Sequence, residues 1–119
     1  MPTSEKIIEI KISEIDLYLI NRVRDIRVQK NISQLKLALA LGLSEGAISK
    51  IENPRDRAKY NIRHINLLAK ALKVEFSELF PPKPLKNDIV ILRLRLVPRR
   101  PADRHKQNYE IISKTVLKD

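Results

Sequence analysis

Residues 6 to 12, KIIEIKI, alternate between apolar and polar positions: Ile8, Ile10 and Ile12 share one face, and Glu9 and Lys11 the other. This is the period of a short strand. The period then changes. Ser13 followed by Asp16 has the spacing of a capping box, and Ile15, Leu19, Val23 and Ile26 recur at helical intervals, predicting a first helix that runs to about Gln29. Ser33 is placed to cap a second helix over Gln34 to Leu41 with Leu37, Ala38 and Leu41 inward, and Gly42 stands where the chain must turn. Ser44 is placed to cap a third helix reaching Glu52, with Ala47, Ile48 and Ile51 inward, and Asn53-Pro54 ends it because proline disfavours a helical predecessor.

The segment PRDRAKY follows as a basic loop. Asn61 is placed to cap a fourth helix whose stripe is Ile62, Ile65, Leu68, Ala69 and Leu72, and Phe76, Leu79 and Phe80 predict a short fifth. Pro81, Pro82 and Pro84 close the helical run. Beyond them DIVILRLRLV alternates again, with Val90, Leu92, Leu94 and Leu96 opposite Arg93 and Arg95. PRRPADRHKQ reads as a loop, and YEIISKTVL fits either a strand or a helix by pattern, its β-branched content favouring a strand. Three regions follow from this: a strand extension over 1–12, a helical domain over 13–82 and a basic extension over 83–119 with a strand near 88–97.

Composition narrows the chemistry. The 119 residues contain no cysteine and two histidines, which excludes disulfide scaffolds, thiolate zinc sites and Cys-His nucleophilic pairs. His64 reads as a packing or solvent-facing residue on the fourth helix and His105 as a loop residue. The acids are scattered over helix faces with no HExxH or phosphate-loop spacing, so no catalytic site, metal or cofactor is expected. No apolar run approaches the roughly 18–20 residues of a membrane span, and the start MPTSEKIIEI lacks a leader pattern, so the expected location is the cytoplasm. The net charge of +10 points to an anionic partner, and it is concentrated in residues 18–82 and 83–119. Aromatics make up only 4%, too few for a stacking platform for single strands, which favours duplex DNA.

The segment QLKLALALGLSEGAISKIE, Gln34 to Glu52, resembles the helix-turn-helix of the phage repressor and Cro family, also called XRE. Ala38 is small where two helices would cross, Gly42 supplies the turn, and Ile48 and Ile51 anchor the second helix. The likeness extends through IRVQKNIS and INLLAKALKVEFSELF, over about residues 18 to 81. The loop PRDRAKYN is a few residues longer than in the phage examples. The resemblance implies a mainly α, five-helix lambda-repressor-like domain. The two flanking strands lie outside it, and their apolar faces predict that they pair with each other or across subunits.

It also implies a recognition helix, Ser44 to Glu52, in the major groove. Carried over by position, Glu45, Gly46, Ser49 and Lys50 face the bases, and Ser33, Gln34 and Ser44 lie near the DNA backbone. Lys50 has the chemistry to donate to guanine, Glu45 to accept from cytosine, and Gln34 to bond a phosphate. Gly46 carries no side chain to read a base, and inside a helix it costs about 1 kcal/mol relative to alanine. Arg55, Arg57 and Lys59 follow the helix as flexible bases suited to phosphates. Arg22, Arg24 and Arg27 read as solvated charges on the polar face of the first helix.

The function expected is that of a sequence-specific regulator of transcription, a repressor by likeness, acting on double-stranded DNA as a homodimer. Two other classes remain open. One is an antitoxin-like module that holds a protein partner through residues 83–119 and binds DNA secondarily, and the other is a nonspecific nucleic-acid binder.

Overall fold

The computed structural model describes residues 6–96 and 109–117. The expected loop PRRPADRHKQ, with His105, lies outside the described residues. The elements run β1 (Ile7–Ser13), α1 (Glu14–Gln29), α2 (Gln34–Ala40), α3 (Ala47–Ile51), α4 (Ile62–Leu72), a 3-10 turn (Phe76–Glu78), β2 (Ile89–Leu96) and β3 (Tyr109–Val116). The protein is mainly helical, with a three-stranded antiparallel sheet of order β1-β2-β3. It divides into two units, the helices of Glu14–Lys86 and the strands that flank them in sequence.

In the helical unit the core is formed by Val23 and Ile26 of α1, Leu37 and Ala38 of α2, Ile48 and Ile51 of α3, Leu68 and Leu72 of α4, and Leu41 and Leu79 from the connections, all buried. Most of this follows the predicted stripes. Ile62, expected inward on the fourth helix, is instead 85% exposed because it opens the first turn of α4, before the face that Ile65, Leu68 and Leu72 bury. In α1 the stripe is only partly right: Ile15 is 42% exposed, whereas Leu17 and Ile20 are buried beside Leu19. Leu17 and Leu19 are two residues, about 200°, apart, so the helix is buried on two sides near its start, whereas periodicity locates a single inward face. The expected fifth helix is the 3-10 turn, with Phe76 exposed and Leu79 alone fully buried.

Three helix ends share one device. After α1, α2 and α4, a residue with positive φ follows the last helical turn: Asn31 (57°), Gly42 (69°) and Lys73 (58°). In each case the next amide reaches back to a carbonyl five residues earlier: Ile32 to Arg27 at 2.9 Å, Leu43 to Ala38 at 2.8 Å, and Val74 to Ala69 at 3.1 Å. This is the Schellman closure, which satisfies carbonyls that the helix end leaves open. At Gly42 it reverses the chain between α2 and α3 with no side chain to strain.

In the sheet unit, β1 pairs with β2 within the same chain, Ile8 opposite Leu94, Ile10 opposite Leu92 and Ile12 opposite Val90. β2 pairs in turn with β3, with a register shift at Arg93/Leu94 that leaves Ile112 as an extra residue. Val90, Leu92 and Leu94 of the centre strand are fully buried. The other face carries ion pairs, Arg93 with Glu9 at 3.7 Å and Arg95 with Glu110 at 3.3 Å. YEIISKTVL is therefore a strand, as its β-branched content favours.

Candidate nucleic-acid interface

Local capping sets how α2 and α3 begin. Ser33 caps α2 as expected, its Oγ accepting from the Lys36 amide at 3.0 Å. The start of α3 differs from expectation. Its N-cap is Gly46, with φ of 85°, and the helix covers only Ala47–Ile51. Ser44 lies in the preceding turn, where its carbonyl accepts from the Ala47 amide at 3.1 Å. Backbone at +85° cannot continue a right-handed helix, so the helix starts after Gly46 and the cost of a mid-helix glycine does not apply. Glycine is used here because of its backbone conformation.

What holds the two helices together is a buried polar network. The Arg27 guanidinium, in the last turn of α1, donates to both carboxylate oxygens of Glu52, Nε to Oε2 at 2.7 Å and Nη2 to Oε1 at 2.8 Å. Its Nη1 donates to the Ile32 carbonyl at 2.9 Å, and Gln34 Nε2 at the start of α2 donates to Glu52 Oε1 at 3.0 Å. Both charged side chains are buried. Arg27 is therefore not a solvated charge. Gln34, expected at a phosphate, instead places its amide on Glu52. Arg22 also has an internal bond, Nε to the Glu78 carbonyl at 2.6 Å.

The sequence did carry a signal for this pair. Arg27 is four residues after Val23, and Glu52 four after Ile48, so each charge occupies the phase of a buried stripe. Nearby Tyr60 is buried, with its hydroxyl lacking a partner among the described residues. Burial, then the Glu52 carboxylate, push its phenol far above the ordinary range, with Arg27 pulling the other way, so it stays neutral.

The remaining candidates separate by what their side chains already bind. Ser44, Glu45, Gly46, Ser49 and Lys50 are all exposed, the first three in the segment leading into α3 and the last two on the helix between its buried Ile48 and Ile51. The Ser49 hydroxyl donates back to the Gly46 carbonyl at 2.9 Å. The following loop is held by two side-chain turns, Asn53 Oδ1 accepting from the Arg55 amide at 3.1 Å and Asp56 Oδ1 from the Ala58 amide at 2.9 Å. These turns present Arg55 and Arg57 to solvent. Lys59 is different, because its ammonium donates to the carbonyls of Asp56 and Ala58.

A small residue at a helix crossing, a Schellman turn at Gly42, and a short exposed α3 pinned to its partner helices are the parts of a helix-turn-helix. Residues 23–79 match the helix-turn-helix family. The chain belongs to the XRE family of helix-turn-helix proteins. Among solved structures, the restriction-modification controller protein C.AhdI from Aeromonas hydrophila is 32% identical, in a match covering 53% of this chain and 92% of that one with a TM-score of 0.46. No functionally curated protein matches the chain. As an XRE-family helix-turn-helix protein, the chain is a DNA-binding regulator of transcription. Its described residues include no helix long and apolar enough to cross a membrane and no cluster of potential metal ligands.

Proposed function

We propose that the protein is a sequence-specific, non-enzymatic regulator of transcription that lays α3 in the major groove of duplex DNA. The observation that carries this reading is the contrast at α3: Ile48 and Ile51 are buried, whereas Ser49 and Lys50 on the helix and Glu45 in the turn before it are exposed, with the exposed Arg55 and Arg57 following in sequence. A face of this kind, held by a buried ion pair, presents side chains to base edges at little ordering cost. Lys50 is the base-reading residue, a donor suited to guanine O6 and N7, and Glu45 accepts from cytosine N4. Gly46, with no side chain, lets the backbone approach the groove closely. Ser44, Arg55 and Arg57 position the domain on phosphates, as does exposed Ser33, whose Oγ accepts from the Lys36 amide and keeps its own proton to donate. Gln34 and Lys59 contribute less because their nitrogens already donate internally.

Two copies acting together would set recognition helices about 34 Å apart and read an inverted repeat, acting as a repressor where that repeat overlaps a promoter. Selection of bound duplexes from a random pool tests the reading, the expected result being an inverted repeat with a centre-to-centre spacing of about one helical turn. Competition at fixed salt should favour that site over random duplex by roughly 10³-fold or more. Equal binding to both would leave only nonspecific affinity. A promoter fusion carrying the selected site gives the regulatory sign.

A further inference from the structure

β1 is an edge strand whose outer side pairs with no strand among the described residues. We propose that this edge is the homodimer contact: β1 of a second copy adds antiparallel to it across a two-fold axis at Ile10, joining two three-stranded sheets into one of six strands.

Backbone polarity fits this geometry. The Leu96 amide donates to the Lys6 carbonyl at 3.0 Å, and in an antiparallel ladder bonded pairs recur at every second residue. Ile8, Ile10 and Ile12, opposite Leu94, Leu92 and Val90, thus spend their backbone groups on β2. Ile7, Glu9 and Lys11 turn theirs to the open edge. With the axis at Ile10, Glu9 lies opposite Lys11 of the second copy in one bonded pair, and Lys11 opposite that copy's Glu9 in another.

Side chains select that register. Glu9 and Lys11 are exposed and on the same face, so the axis at Ile10 opposes unlike charges twice, whereas an axis at Glu9 or at Lys11 would oppose like charges. On the other face it sets Ile8 against Ile12 and Ile10 against Ile10. Ile8 and Ile10 are only half-buried within one chain, whereas Ile12 is buried, so the second copy covers apolar surface left open. β3, the opposite edge, carries the extra residue Ile112, and a bulge of that kind blunts edge pairing. The contact is isologous and closed, which ends assembly at two copies.

The inference rests on the two-copy reading above for its consequence on DNA, but its test needs no DNA. Sedimentation of the full chain should show a dimer. Lys11→Glu and Glu9→Lys, each opposing like charges twice, should weaken it by about tenfold or more, and the double exchange should recover it to within about threefold. In a chain without cysteine, Ile10→Cys should oxidise to a disulfide-linked dimer, because facing non-bonded pairs sit about 4.5 Å apart at Cα, whereas Ile112→Cys should not. A monomeric wild type, single variants as tightly associated as wild type, a double exchange that fails to recover, or cross-linking through position 112 and not 10 would each overturn it. A dimer of this kind that binds all duplexes equally would refute sequence reading alone. A monomer that selects a site would refute this contact alone.

Discussion

Arg27 and Glu52, 25 residues apart in sequence, form a two-pronged buried ion pair that ties the end of α1 to the end of α3, with Gln34 of α2 bonded to the same carboxylate. One carboxylate thereby fixes three helices, including both helices of the motif. The pair's value lies in geometry more than net stability, because desolvating two charges offsets most of their attraction.

Removing one partner strands the other charge in the core. Glu52→Gln is expected to cost about 3–5 kcal/mol of unfolding free energy in urea titration, and Arg27→Met a similar amount. The double variant Arg27→Met/Glu52→Leu should lose less than either single change. A double variant as unstable as the sum of the singles would show that burial of an unpaired charge is not the source of the loss.

The left-handed positions divide by residue type. Gly42→Ala and Gly46→Ala should each destabilise by about 1–2 kcal/mol, although an added β-carbon at either site meets no atom within 4 Å, because the cost lies in φ. Lys73→Gly, at a φ of 58°, should stabilise by up to about 1 kcal/mol. Thermal unfolding of the three variants checks both signs.

His64 makes stability depend on pH. It is buried, and its Nδ1 accepts from the Asn61 amide at 3.1 Å, completing a reciprocal cap in which Asn61 Oδ1 accepts from the His64 amide. Burial, then the Arg63 charge, hold its pKa below the ordinary 6.5. The unfolded chain therefore binds the proton more tightly, so stability from this group is complete above about pH 6.5 and falls as the solution is acidified below it. His64→Gln should flatten the difference in urea midpoint between pH 7.5 and pH 5.5; an unchanged difference would assign it to other groups.

On DNA, Lys50→Ala should lose about 1–3 kcal/mol on the selected site and relax preference at one base pair per half-site. Arg57→Ala should weaken all duplexes alike and reduce the salt slope by about one per subunit. Lys59→Ala, whose ammonium is held by its own loop, should leave that slope nearly unchanged.

The sequence by itself determined the helical character of α1 to α4, the caps at Ser33 and Asn61, the turn at Gly42, the buried stripes of α2, of α3 and of α4 from Ile65 onward, and the strand character of β1 and β2. All of these rest on interactions within about four residues along a helix or two along a strand, so pattern and cap chemistry report them directly. Tertiary structure alone decided that Arg27 and Glu52 meet, that β1 finds β2 in the same chain, that α1 is buried on two sides and that Gly46 lies before α3. The first three depend on partners distant in sequence, which a one-dimensional period does not encode. The fourth depends on a backbone angle that glycine permits but does not compel.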